Sequence, residues 1–223
     1  MAMMEPTQLR QELTQNQALL VGQAARVFGF DENMVRNFVQ NPPQTMPRVG
    51  SLEYNAANLA QEIRNAATRG LTFTPSEITN QTIAEVVGRF FTSRHSGNID
   101  SYSLETSFRQ ITRSAGNLGI VDPRNENETE TFRNNLTRYI MVREINPQIA
   151  DLMLPTMINA YTPGYVARPD LQMDFIRELG SRATILPNPD GGKDVVIDQG
   201  AVRESRLAFL AEHREVIPRR SRS

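Results

Sequence analysis

The chain has 223 residues, with 24 basic and 25 acidic side chains, a net charge of −1, no Cys and no Trp. That length holds one large domain or two small ones, and 39% hydrophobic residues supply an ordinary buried core. The charge balance excludes a global field that draws the whole protein onto nucleic acid or an anionic membrane, and zero Cys excludes disulfides, thiolate zinc sites and a cysteine nucleophile.

The N-terminus lacks the basic and apolar regions of a secretory signal, and no apolar run approaches the ~18 residues of a membrane span. The expectation is a soluble protein made in a cytoplasm. Leu9, Leu13, Leu20, Ala24, Val27 and Phe28 recur at three- and four-residue steps, which predicts a helix from near Thr7 to Gly29. Asp31 caps a second short helix with Met34, Val35 and Phe38 inward, and Asn41-Pro42-Pro43 ends it because proline cannot continue the ladder. A third helix from Ser51 sets Leu52, Leu59, Ile63 and Ala66 on one side, with Gly70 as its C-terminal cap.

Thr74 and Glu77 form a capping box around Pro75, opening a helix whose wide apolar stripe includes Ile78, Ile83, Val86, Val87, Phe90 and Phe91. Leu104, Phe108, Ile111 and Ala115 predict the next helix, closed by Gly116 or Gly119. Residues 121–131 are polar and aperiodic, reading as a hinge loop that runs into an acidic helix start. Phe132, Leu136, Tyr139 and Ile140 continue as a helix to Asn146-Pro147, which restarts one that Pro155 kinks or cuts.

Tyr161 and Tyr165 flank a Pro-Gly turn, and Leu171, Phe175 and Leu179 fix a helix ending at Gly180. Residues 183–186 and 194–197 read as strands joined by a Gly-rich hairpin loop. Val202, Leu207, Phe209 and Leu210 mark a last helix, followed by Arg214 and then by a basic tail containing Arg219, Arg220 and Arg222. The sum is a mainly α fold: a multi-helix bundle of about eight or nine short helices, one small β-hairpin near residues 183–198 and a flexible basic C-terminal tail. Its expected division is a helical lobe over 1–120, a second over 121–217 with the hairpin, and the tail 218–223; a single domain over 1–217 is the alternative.

No P-loop, dinucleotide fingerprint or zinc-protease motif occurs, and no cofactor or metal is implied. His95 and His213 read as helix-end cations rather than ligands. Asp190-Gly191-Gly192-Lys193 suits a hairpin tip better than a phosphate cradle, and the pairs Glu128/Glu130 and Asp170/Asp174 read as dipole-stabilising charges of helix starts. No catalytic constellation emerges, so the reading is not an enzyme.

What remains is surface chemistry. Of the basic residues, 23 are Arg and only Lys193 is Lys, and thirty side chains are Asn or Gln. Guanidinium forks and neutral amides suit polar contacts between proteins, although a GC-rich genome writes the same Arg bias. Residues 151–200 carry seven acidic and four basic side chains, whereas 201–223 carry six Arg and three Glu. The leading expectation is therefore a non-enzymatic structural protein that self-assembles into a ring, shell or filament, concretely a virus or phage particle component such as a coat, connector or adaptor subunit. Tyr161, Tyr165, Asp170, Asp174, Asp190, Lys193 and Asp194 are the candidate subunit contacts, and Arg214, Arg219, Arg220 and Arg222 the candidate contacts with a partner or nucleic acid. One alternative is a nucleic-acid-binding protein using that tail. Another is a small helical enzyme or effector with an inter-lobe pocket near residues 119–131.

Overall fold

A computed structural model describes residues 20–49, 51–68, 80–92, 102–103, 108–159, 168–187, 189 and 193–213. The fold is mainly α, with nine helices among the described residues. Residues 20–28 form α1; then follow α2 (Glu32–Gln40), α3 (Leu52–Thr68), α4 (Asn80–Thr92), α5 (Phe108–Asn117), α6 (Glu126–Ile145), α7 (Pro147–Asn159), α8 (Pro169–Ser181) and α9 (Gln199–Glu212). None of the described helices is long and apolar enough to cross a membrane.

The chain packs as two compact units, Met1–Asn98 with Ile145–Thr156, and Ile99–Glu144 with Met157–Ser223. A cut near residue 120 is therefore not where the packing divides, because the apolar stripe of most of α7 returns to the first unit. Residues 121–131 lie wholly inside the second unit and are not a hinge between the two.

In the first unit α1 ends at Gly29, whose φ of 67° only glycine adopts without strain. The Asp31 carboxylate accepts from the Asn33 N–H at 2.9 Å and caps α2. Val35 and Val39, one turn apart, are buried, whereas Met34 and Phe38 flank them half-exposed. Phe28, Phe30, Phe90 and Phe91 form an aromatic cluster with centroid separations from 4.7 to 6.4 Å. Leu59, Ile63 and Ala66 are buried as expected, but Leu52 stays outside because a side chain in the first turn leans back over the preceding loop. Gly88 lets α4 approach α7, since a Cβ there would meet the Thr156 side chain at 3.0 Å. Pro155 does not cut α7, which runs through it to Asn159.

In the second unit α6 is buried on nearly every side from Asn135 to Val142, the mark of a central helix. Phe132 stacks on Phe175 at 6.3 Å, and Phe175 meets Phe209 edge-on at 5.4 Å, joining α6, α8 and α9. On α9 the inward residues are Val202, Ser205 and Phe209; Leu207 is two positions from Ser205, on the opposite face, and is exposed. Gly119, with φ 72°, rather than Gly116 closes α5, and the Ile120 N–H bonds the Ala115 carbonyl at 2.9 Å.

The expected hairpin is present as β2 (Thr184–Pro187) antiparallel to β3 (Lys193–Val196). A strand not expected, β1 (Tyr102–Ser103), pairs parallel to β3 and completes a sheet of order β1-β3-β2. Two residues are too few to carry an alternating pattern.

Candidate functional site

The sequence-predicted contact residues fall into two groups. Tyr161, Tyr165, Asp190, Arg214, Arg219, Arg220 and Arg222 lie outside the described residues, as does the capping box at Thr74 and Glu77. The others are on the second unit, and most are engaged within the chain. Asp170 sits 3.3 Å from Arg168 Nη2 in the first turn of α8. Slight burial pushes its carboxyl upward, but hydrogen bonds from the Arg168 side chain and the Leu171 N–H outweigh this and hold it below the usual carboxylate range. Asp174 accepts from Arg177 Nη1 at 3.0 Å and lies 3.5 Å from His213 Nε2. His213 itself caps the C-terminus of α9, the helix-end position expected for it. Both oxygens of Glu144 are 2.8 Å from Lys193 Nζ, so that ammonium is already matched by a carboxylate. Asp194 is half-buried in β3, in register with Leu186 of β2.

Glu128 and Glu130 do not converge. They are two positions apart on α6, which turns them to different faces, and Glu128 is buried while Glu130 is exposed. No group of three His, Asp or Glu among the described residues is arranged to hold a metal ion.

The cleft in the neighbourhood of residues 119–131 is a groove of about 550 Å³ inside the second unit, not between two lobes. Its walls come from α5 and from the turn that leads into α6. Arg109 and Arg113, one helical turn apart, line it from α5, and Arg124 lines it from the turn. All three are exposed, and none makes an ion pair with a described residue. Two close contacts fix the turn. Gly116 brings Pro123 against α5, where a Cβ would meet the proline Cδ and Cγ at 3.0 Å. Asp122 Oδ1 accepts from the Arg124 N–H at 3.0 Å, which commits one carboxylate oxygen to the turn itself. Phe108 and Pro123 supply apolar surface, and the Arg133 guanidinium lies 5.3 Å over the Phe108 ring. Sequence reasoning passed over these arginines because Arg109 and Arg113 look like the solvated face of an amphipathic helix. Only the fold brings Arg124 to them.

A second feature lies on the first unit, in the connection from α2 to α3. Met46, Val49 and Leu52 are 46%, 72% and 49% exposed within seven residues. The loop holds Pro42, Pro43 and Pro47, and Ser51 ends it by accepting from the Tyr54 N–H at 3.1 Å. Arg48 and Glu53, both exposed, stand beside the apolar side chains and make no ion pair with a described residue.

The chain matches no family model, and no curated protein and no solved structure matches it significantly.

Proposed function

We propose that this chain is a non-enzymatic structural protein that assembles with copies of itself, in its concrete form a coat, connector or adaptor subunit of a virus or phage particle. The observation that carries self-association is the exposed group Met46 and Val49, on a loop stiffened by three prolines, with Leu52 at the start of α3. Isolated exposed apolar side chains are ordinary, but three within seven residues concentrate apolar surface in one short stretch. A loop already restricted by proline loses little freedom on docking.

This stretch suits a second copy because its flanking charges are self-complementary. In a two-fold contact the same surface meets itself, so Arg48 of each copy can face Glu53 of the other. Covering the half-exposed side chains of both copies contributes on the order of 5–9 kcal/mol. Association costs about 4–15 kcal/mol, so this contact alone lies near balance and a tight assembly needs a second one. The acidic stretch 168–198 and the terminal arginines of a neighbour are the proposed second contact, of head-to-tail type.

The test is size-exclusion chromatography with light scattering on the full chain at low and high salt, recording the 260/280 nm absorbance ratio. A defined oligomer free of nucleic acid supports the reading, and the double variant Val49→Glu/Leu52→Glu should reduce its size. Arg48→Glu should weaken association and Arg48→Glu/Glu53→Arg restore it. Removing residues 218–223 should weaken the larger assembly while sparing the dimer. A monomer of 25.1 kDa at every concentration would overturn self-assembly. Nucleic acid carried at low salt and shed at high salt would favour the tail as a phosphate-binding arm instead.

A further inference from the structure

We infer that the arginine groove of the second unit binds a phosphate-bearing small molecule of about nucleotide size. Arg109, Arg113 and Arg124 converge on one cavity of about 550 Å³, within the range of small-molecule sites. Against these three cations the lining offers one carboxylate, Asp122, giving a net charge of 3 − 1 = +2. One Asp122 oxygen accepts from the Arg124 N–H, and the carboxylate forms no ion pair with the guanidinium forks of the described residues, so the excess of positive charge stands. Arg109 and Arg113 at i and i+4 repel one another in the free chain, and an anion between them removes that repulsion. Elsewhere on the second unit Arg168, Arg177 and Arg182 each have a carboxylate partner, and the exposed Arg203 and Arg206 of α9 do not line the groove; what sets the groove apart is three guanidiniums without a described carboxylate partner around one cavity.

Phosphate is the anion this lining fits. Each guanidinium presents a planar fork of N–H donors that matches two phosphate oxygens, and two forks one turn apart can hold adjacent phosphates. The third approaches from a turn held by Gly116 and Asp122, so the site is set by backbone geometry as well as by charge. Phe108 and Pro123 add apolar surface for the organic part of the ligand. The inference is independent of self-association, because the stretch that carries that reading belongs to the first unit.

Calorimetric titration of the full chain tests it with three probes: ATP, sodium pyrophosphate and adenosine. ATP and pyrophosphate should bind and adenosine should not. Arg113→Gln alone and Arg109→Gln/Arg124→Gln together should each weaken pyrophosphate at least tenfold, with thermal midpoints near that of the parent because these side chains are exposed. Arg206→Gln, an exposed arginine on α9 outside the groove, should leave affinity unchanged. The inference is overturned if neither phosphate probe binds at millimolar concentration, if the groove variants bind as well as the parent, or if Arg206→Gln costs as much as they do. A 20-nucleotide single strand that binds through these arginines while ATP and pyrophosphate fail would also overturn it, assigning the groove to a nucleic-acid backbone.

Discussion

The ring of Tyr139 lies directly against the backbone of Gly180: a Cβ at that glycine would fall 2.5 Å from Cε1 and 2.7 Å from Cδ1 of the ring. Both residues are buried, and Arg143 Nη1, one turn along α6, donates to the Gly180 carbonyl at 3.3 Å. Here α8 meets α6 without an intervening side chain. Gly180→Ala improves helix propensity by about 1 kcal/mol, but the ring is held by a packed interior and must move. The expected net result is a loss of about 1–2 kcal/mol, or a fall of roughly 2–8 °C in thermal midpoint. In the Tyr139→Leu background the same change should cost less; equal costs would show that ring and glycine are not coupled.

Gln172 is fully buried in α8, and neither end of its amide has a hydrogen-bond partner among the described residues. An unmatched buried amide costs about 1–3 kcal/mol, and methionine fills similar volume without polar ends. Gln172→Met should therefore raise the urea midpoint, by about 1 kcal/mol in stability. A lower midpoint would mean that the amide is satisfied in solution.

Asp170 gives a pH dependence whose direction follows from its depressed carboxyl. Because the folded chain prefers the charged form, the stabilisation is present above the unfolded value near 3.9 and is lost as pH falls through the lower folded value. The side chain is 63% exposed, so the contribution is small, below about 0.5 kcal/mol. Asp170→Asn should be slightly less stable than the parent at pH 7, and the gap should close as the pH falls below about 4. A gap that does not change with pH would contradict this assignment.

Gly116 separates the placement of the groove from its charge. Gly116→Val must push Pro123, and with it Arg124, away from α5 while leaving all three arginines in the chain. Pyrophosphate affinity should fall several-fold, with a loss of stability of about 1–3 kcal/mol measured separately by thermal denaturation. Unchanged affinity alongside lower stability would mean that Arg124 does not contribute to binding.

The helices were legible because each stores its signal locally. Asp31, Gly29 and the restart at Asn146, whose carboxamide oxygen accepts from the Gln148 and Ile149 N–H groups at 3.1 and 3.2 Å, act within a few residues of themselves. Errors arose where periodicity alone had to choose a face. Leu207 and Ser205 are both on α9, and hydrophobicity favoured the leucine, yet Ser205 is the buried one because it shares a face with Val202 and Phe209.

By itself, then, the sequence determined the mainly helical class, the caps and breaks of most described helices, the β2–β3 hairpin and the near-neutral surface chemistry. Those properties depend on neighbours three or four positions away. Only the tertiary structure decided that Tyr102 and Ser103 join the sheet beside β3, that most of α7 belongs with the first unit, and that Arg124 meets Arg109 and Arg113 across one groove. Such contacts join segments whose spacing along the chain carries no periodic trace, so they are set by which apolar faces bury one another when the whole chain packs.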